Sequence, residues 1–301
     1  MNYLVTGATG FIGSKLVTHL LAQGHSVQYL ARQRSATLDS RAAFFCWNPA
    51  ELPPLDAIPR LDAVIHLAGE PIAQRWTPGV KERIRSSRVE GTRKLVAAIA
   101  NLRFKPSVLV SASAIGYYGD RGNEILTETS SPGDDFLARV CIDWEREAVK
   151  ARDAGLSVIP VRIATVLGRE GGALPRMLPA FRYGLGARFG SGAQWMPWIH
   201  IDDLVNLLHF AASNPSLNQP LNAGSPNPVT NANFTKALAR AVHRPAVLTS
   251  PKFALRLALG EMSDFLFSST RVLPAATSAA GFRFEHPTLD ETLTSILDCP
   301  K

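Results

Sequence analysis

The sequence predicts an α/β fold: a doubly wound parallel sheet with a smaller C-terminal substrate lobe. Two observations carry this. Strand-length runs alternate with helical stretches from Tyr3 to about residue 165, and the strands are apolar throughout instead of alternating. Such strands are covered on both faces, which is the state of a parallel sheet between helix layers. A third observation sets the lobe apart: beyond about residue 166 the texture turns to Gly, Pro, Arg and aromatics, as in "GREGGALPRMLPAFRYGLGARFGSGAQWMPW".

The elements follow in order. Tyr3-Leu4-Val5 is a short strand, and Ile12, Leu16 and Leu20 then recur at helical spacing until Gly24 stops the helix. "HSVQYLAR" reads as a second strand, and Leu61–Gly69 as a buried strand ending in small residues. Pro78–Ala100 is helical, with Val89, Leu95, Val96 and Ile99 on one stripe. "SVLVSASA" is a strand, Phe136–Ala151 a helix, "LSVIPVRIA" a strand and Asp202–Ala212 a helix. Phe234–Val242, Phe253–Leu259 and Leu289–Leu297 supply helices to the lobe. The domain expectation is therefore 1–165, with 199–224 returning to it, and a lobe from 166–198 and 225–301.

Of the 301 residues, 46% are hydrophobic and 19% charged, the balance of a globular protein with a real core. No apolar run approaches the length of a membrane span, and the strand at Tyr3 leaves no room for a secretion signal, so a cytoplasmic protein with no membrane partner is expected. Cys46, Cys141 and Cys299 are too scattered for a disulfide framework, and seven dispersed histidines without HExxH predict no metal site. Lys and Arg number 32 against 25 Asp and Glu, a net +7 that favours anionic partners. No nucleic-acid module or dense basic tail is present, and a phosphorylated small molecule accounts for the sign equally well.

"VTGATGFIGSKL" puts Gly7, Gly10 and Gly13 between an apolar strand and an amphipathic helix. A phosphate binds where unpaired backbone N–H groups and the helix dipole converge at a helix start. The chain must turn sharply there without a side chain in the way. Gly7 and Gly10 meet those needs and Gly13 lets the helix lie close to the sheet, which predicts a Rossmann-type dinucleotide site. Phe11 and Ile12 supply further amides in the same turn.

The spacing of the glycines resembles the extended short-chain dehydrogenase/reductase superfamily. "VIHLAG", "RVEGTRKLVAA", "SASAIGYYG", "WIHIDDLV" and "PLNAGSPNPVTN" are similar to its later landmarks in order, nearly along the whole chain. Within it, "AGEPIA…RW", "GYYGD", "GSGAQ…WIHIDD" and "RVLPAATSAAGFRF" resemble the little-characterised epimerase family proteins, which are NAD-dependent epimerase/dehydratase-like.

An NAD reader usually places an acid at the end of the second strand. This chain offers Ala31, Arg32, Gln33 and Arg34, with no acid before Asp39. A guanidinium suits a 2′-phosphate, so NADP is expected over NAD. Leu67 and Ala68 are expected to line the adenosine side. The resemblance implies that Arg88 touches the cofactor, because it stands at the Asn of Asn-Val-x-Gly-Thr, with Arg83 a further candidate. It also places Val166 where the backbone passes the nicotinamide. Two helices, Pro78–Ala100 and Phe136–Ala151, are by the same analogy the faces of a homodimer.

The superfamily's proton partner is a Tyr with a Lys four residues on, beside a Ser. No tyrosine here has Lys at that spacing; the places fall on Phe136 and Val140. Ser113 remains to orient a substrate oxygen and Tyr117, or Tyr118, to protonate it. Asp134 and Asp135 read as helix caps, and Arg162 as a strand-end residue. Met196 and Pro197 replace the phosphate-gripping end of the sugar-nucleotide motif, and Trp195 and Trp198 make the pocket apolar, while Arg176, Arg182 and Arg188 remain for an anionic substrate. Three readings result: an atypical NADP-dependent oxidoreductase or epimerase-like enzyme on a small carbonyl or hydroxyl compound, sugar derivatives included; an NADP(H) sensor without catalysis; and a nucleotide-sugar epimerase/dehydratase.

Overall fold

A computed structural model describes residues 1–298; Cys299 and the last two positions of the expected lobe lie outside the described residues. Seven strands form the central sheet: β1 (Asn2–Thr6), β2 (Ser26–Ala31), β3 (Ala43–Cys46), β4 (Ala63–His66), β5 (Val108–Ala114), β6 (Ser157–Ile163) and β7 (Leu221–Ala223). Their spatial order is β3-β2-β1-β4-β5-β6-β7 and every pairing is parallel. The order reverses at β1, so a crevice opens between β1 and β4 at the carboxyl ends of the strands, where such sheets bind ligands.

Eight of the helices matter to the site and its surroundings: α1 (Phe11–Ala22), α2 (Pro78–Asn101), α3 (Phe136–Val149), α4 (Leu174–Arg182), α5 (Ile201–Ser213), α6 (Asn231–Ala241), α7 (Lys252–Leu259) and α8 (Leu289–Leu297). Helices α1 and α5 cover one face of the sheet, burying Leu16, Val17, Leu20, Leu204, Leu207 and Leu208 against Tyr3, Val5, Ile65 and Val110. Helices α2 and α3 cover the other, burying Leu95, Ile99 and Ala148 on Leu4, Val64, Leu109 and Val158. Apolar strand residues thus meet a helix on both sides, which is why those strands show no polar alternation. The basic side chains of α2 are partly spent on this packing: Arg85 reaches Asp143 at 3.1 Å and Arg93 reaches Glu147 at 3.0 Å, both on α3.

Helix α5 packs on the sheet and β7 is its outermost strand beside β6. Several elements escaped the sequence reading. Strand β3 is an edge of four residues, and α4 carries Pro175 and Pro179, so neither shows a clean period. The segment Thr165–Leu167 pairs with Trp198–His200, and Ile125–Leu126 pairs with Arg271–Val272, tying the lobe to the sheet domain.

The lobe has its own core of Leu167, Leu174, Leu178, Phe181, Phe234, Leu238 and Leu293 around Trp198. Trp198 is fully buried, so the expectation that it walls the substrate pocket is corrected: the lobe needs its bulk to join α4, α6 and α8. Its indole N–H has no hydrogen-bond partner among the described residues. Trp198→Ala is expected to cost about 3–5 kcal/mol in urea denaturation through the cavity it leaves. Trp198→Phe is expected to cost less than about 2 kcal/mol, because it also removes an unpaired buried donor.

Candidate active site

The β1–α1 turn is held by contacts that admit no side chain. Gly7 has φ +72°, and a Cβ there would lie 2.7 Å from the Leu67 carbonyl carbon and 2.8 Å from the Ala68 nitrogen. The turn therefore rests on the backbone at the end of β4. A Cβ on Gly13 would fall 2.2 Å from the Gly7 oxygen, so α1 lies directly on the turn. Gly10 caps α1 without a side-chain hydrogen bond, and the helix's first backbone bond runs from Ser14 N–H to the Gly10 carbonyl at 2.9 Å. The amides of Phe11, Ile12 and Gly13 precede it and have no partner within the helix. With the dipole of a 12-residue helix behind them, these bare donors make a seat that suits an anionic group.

The glycine-rich stretch after Thr165–Leu167 closes over this seat. A Cβ on Gly168 would stand 2.5 Å from Phe11 Cζ, and one on Gly171 2.4 Å from Phe11 Cγ. Val166 lies beneath, buried, and Lys15 pairs with Glu170 at 2.8 Å across the same contact. Its glycines make room for the ring of Phe11.

Behind the turn, Thr6 Oγ1 lies 2.6 Å from His66 Nδ1, and His66 Nε2 lies 2.9 Å from Thr92 Oγ1. Ala68 N–H donates to Thr6 Oγ1 at 3.3 Å. This fully buried column joins β1, β4 and α2, and burial holds the His66 imidazole down at about 4, hence neutral.

Arg88 enters from α2 beside the same strand end. Its Nη1 donates to the carbonyls of Glu70 at 3.0 Å and Ile84 at 3.1 Å, and its guanidinium lies 5.1 Å from the Trp144 ring on α3. A Cβ on Gly69 would come within 3.2 Å of Arg88 Cζ. Burial pulls the Arg88 pKa down. No carboxylate stands within ion-pair distance of it among the described residues. A half-buried cation whose hydrogen bonds all go to carbonyls marks a place where an anion from outside is favoured. Arg83, by contrast, is exposed and sits 3.6 Å from Glu70. Arg32 is exposed beside half-buried Ala31 at the end of β2.

A second polar cluster lies at the ends of β5 and β6. Ser113 and Arg162 are register partners, so their side chains leave the sheet together toward α3. Ser113 donates to Glu145 Oε1 at 2.6 Å, and Arg162 grips both oxygens of Glu145 at 2.9 Å. Arg162 also donates to the Tyr118 hydroxyl at 3.0 Å and the Glu128 carbonyl at 3.1 Å. Burial opposes its charge, but the Glu145 fork outweighs this and raises its pKa. It is therefore a buried ion-pair centre, which corrects its reading as an ordinary strand-end residue. Tyr118 donates onward to Asn222 at 2.7 Å and burial pushes its hydroxyl up to about 12, so it is spent on structure. Tyr117 differs: its ring lies 3.4 Å from the Arg162 guanidinium, and its hydroxyl makes no hydrogen bond among the described residues.

Val140 is buried, and Phe136 packs on Trp76 with centroids 5.4 Å apart, so neither carries proton chemistry. Asp135 caps α3 through Ala138 N–H at 2.8 Å, as its position implied. Trp195 is half-buried under Arg271, and Arg176 donates to the Ala73 carbonyl at 2.6 Å. Arg182 and Arg188 are exposed. His200 and Asp202, two residues apart, and His286 bring ligand atoms within 4.8 Å of one another. The two imidazoles stand with centroids 3.9 Å apart and planes 32° to one another, and His200 Nδ1 accepts from the Asp202 N–H at 3.0 Å.

The sequence profile of the NAD dependent epimerase/dehydratase family matches residues 3–224. The chain belongs to that family. Residues 250–296 match a domain of unknown function. An epimerase family protein of Mycobacterium leprae is 42% identical over 293 residues, covering 96% of this chain and 94% of its own. The crystal structure of human epimerase family protein SDR39U1 (isoform 2) with NADPH has a TM-score of 0.90 at 32% identity, each chain covered fully. A nucleoside-diphosphate sugar epimerase from Corynebacterium glutamicum gives 0.81 at 34%, covering 99% of this chain and 58% of that one. The family binds NAD(P), and the bare amides of the β1–α1 turn fit a dinucleotide diphosphate.

The His66 column makes the family's cradle sensitive to acid. With the folded pKa about 4, below the ordinary 6.5, His66 contributes stability that is complete above pH 6.5 and lost as pH falls toward 4. The amount is about 3 kcal/mol. In urea denaturation between those pH values, His66→Asn is expected to show a shallower loss of stability than the parent; an unchanged slope would contradict this.

Proposed function

We propose that the protein is an NADP(H)-dependent enzyme of atypical type that oxidises, reduces or epimerises a small carbonyl or hydroxyl compound, sugar derivatives included. The observation that carries this reading is the pairing of a dinucleotide cradle with a serine, Ser113, whose hydroxyl is oriented by a fixed carboxylate at the neighbouring strand ends. NADP is preferred because Arg32 is an exposed guanidinium at the end of β2, with no acid there to accept from a ribose hydroxyl. Gly7, Gly10 and Gly13 with the amides of Phe11 and Ile12 hold the diphosphate; Ala31, Leu67 and Ala68 line the adenosine; Arg88 answers the cofactor's negative charge; Val166 backs the nicotinamide. Arg83, exposed and beside Glu70, is the outermost of these contacts.

A bound nicotinamide supplies hydride exchange. The chain's own residues handle the proton. Ser113 gives its hydrogen to Glu145, so its lone pairs are left to accept from a substrate hydroxyl and orient it. Tyr117, whose hydroxyl is unengaged, donates to the oxygen that gains charge on reduction. Arg162 keeps Glu145 in place and stacks on the Tyr117 ring, so both proton-handling groups depend on one guanidinium.

A second reading has an observation of its own. Phe136 and Val140 fill the Tyr and Lys places with apolar, packed side chains, which favours a protein that senses NADP(H) without turnover. Binding titrations with NADPH and NADH, followed by a carbonyl panel monitored through the reduced cofactor, separate the readings. Arg32→Ala is expected to weaken NADPH about ten- to hundredfold while leaving NADH nearly unchanged. Tyr117→Phe and Ser113→Ala are expected to abolish turnover at retained NADPH affinity. Tight NADPH binding without turnover on the panel points to the sensor, and product without net cofactor consumption to a nucleotide-sugar epimerase/dehydratase. Absence of binding to either dinucleotide sinks all three.

A further inference from the structure

The face of the lobe formed by residues 183–189 and 244–257 is unusual in both charge and apolarity. Of the ten large apolar side chains left exposed among the described residues, six belong to two of its segments: Tyr183, Leu185, Val247, Leu248, Phe253 and Leu257. Tyr183, Val247, Phe253 and Leu257 are 77–84% exposed, so they protrude instead of lining a groove. The two segments are joined in space. Ala187–Phe189 pairs in parallel with Leu248–Ser250, Arg188 Nε donates to Thr249 Oγ1 at 3.2 Å, and a Cβ on Gly186 would touch Ala246 at 3.0 Å. Helix α7 follows at once and presents Phe253 and Leu257, four residues apart, on one exposed side.

Charge follows the same map. Residues 171–198 and 225–260 contain eight Lys and Arg and not one Asp or Glu. Arg182, Arg188, Arg244 and Arg256 are exposed and have no carboxylate within ion-pair distance among the described residues. An open depression of about 760 Å³, lined by Lys236, Arg240, His243 and Arg244, with Arg240 paired to Asp290 at 2.8 Å, ends at Ala246, next to protruding Val247.

We infer that this face docks on the surface of an anionic phospholipid bilayer. Protruding apolar tips enter the acyl boundary, guanidinium groups meet the lipid phosphates, and the basic depression receives a headgroup. A second copy of the chain would bring cations against cations. A nucleic acid would leave the aliphatic tips without a partner. The inference does not rest on the proposed activity, and it gives α7, inside the domain of unknown function at residues 250–296, a task. The sequence expectation of no membrane partner rested on the lack of a spanning run. Indeed no helix among the described residues is long and apolar enough to cross a membrane, but surface docking needs none.

The test is co-sedimentation of the untagged full chain with phosphatidylcholine vesicles and with phosphatidylcholine/phosphatidylglycerol vesicles. Partition onto the anionic vesicles at least about tenfold above the neutral ones is expected, weakening with salt. Phe253→Ser/Leu257→Ser and Arg244→Glu/Arg256→Glu are each expected to lose at least about tenfold in partition, with NADPH affinity and melting temperature unchanged. Three results overturn the inference: no binding to anionic vesicles; binding that the charge variant abolishes and the apolar variant leaves intact, which is a polyanion contact only; or self-association in sedimentation velocity that the apolar variant abolishes, which makes the face an interface between copies.

Discussion

Helix α1 lies so close to the turn leaving β1 that a single carbon on Gly13 would reach 2.2 Å from the Gly7 carbonyl. Everything at the crevice depends on that approach. It brings the helix's unpaired amides to the end of the sheet, sets the turn against Leu67 and Ala68 of the neighbouring strand, and leaves Phe11 projecting where Gly168 and Gly171 wrap it. Hydrogen is the only substituent that fits at Gly7 and Gly13, so the geometry is dictated by exclusion more than by attraction. The Thr6–His66–Thr92 column supports the same place from below, and it does so without charge because burial keeps the imidazole neutral.

The second organising contact is electrostatic. Arg162 and Glu145 form a buried fork in which each charge offsets the other's desolvation, and Ser113, Tyr117 and Tyr118 are arranged around it. In such a cluster removing one member leaves its partner as an uncompensated buried charge, so the group holds one geometry. A network of this kind at two strand ends, with a neighbouring guanidinium, Arg88, in no ion pair among the described residues, differs from a Tyr and Lys on one helix face. The polar groups of the site are distributed over β5, β6, α2 and α3.

Much of this was legible beforehand. Apolar strands, a helical period and three glycines identified the parallel sheet and the cradle, because strand burial and a tight turn act through near neighbours in the chain. The segments with no period were missed: edge strand β3, the proline-bearing α4 and the two- and three-residue strands of the lobe. Glu145 also went unnoticed, although an acid beside the buried stripe of α3, and Arg162 inside an apolar strand, were visible signals of opposite sign. Trp198 was misassigned because an aromatic beside a pocket motif looks the same whether it lines the pocket or fills a core.

What the sequence determined by itself was local: which runs become strands, where α1 starts, that bare amides await an anion, that no Tyr-Lys pair exists. Which charges meet was decided only by the tertiary structure. Ser113 and Arg162 become neighbours because β5 and β6 align in register, Glu145 joins them because α3 crosses that edge, and Arg88 is stripped of water because α2 packs on α3. Pairing energy depends on distance and burial between groups far apart in the chain, and neither quantity exists until the layers close.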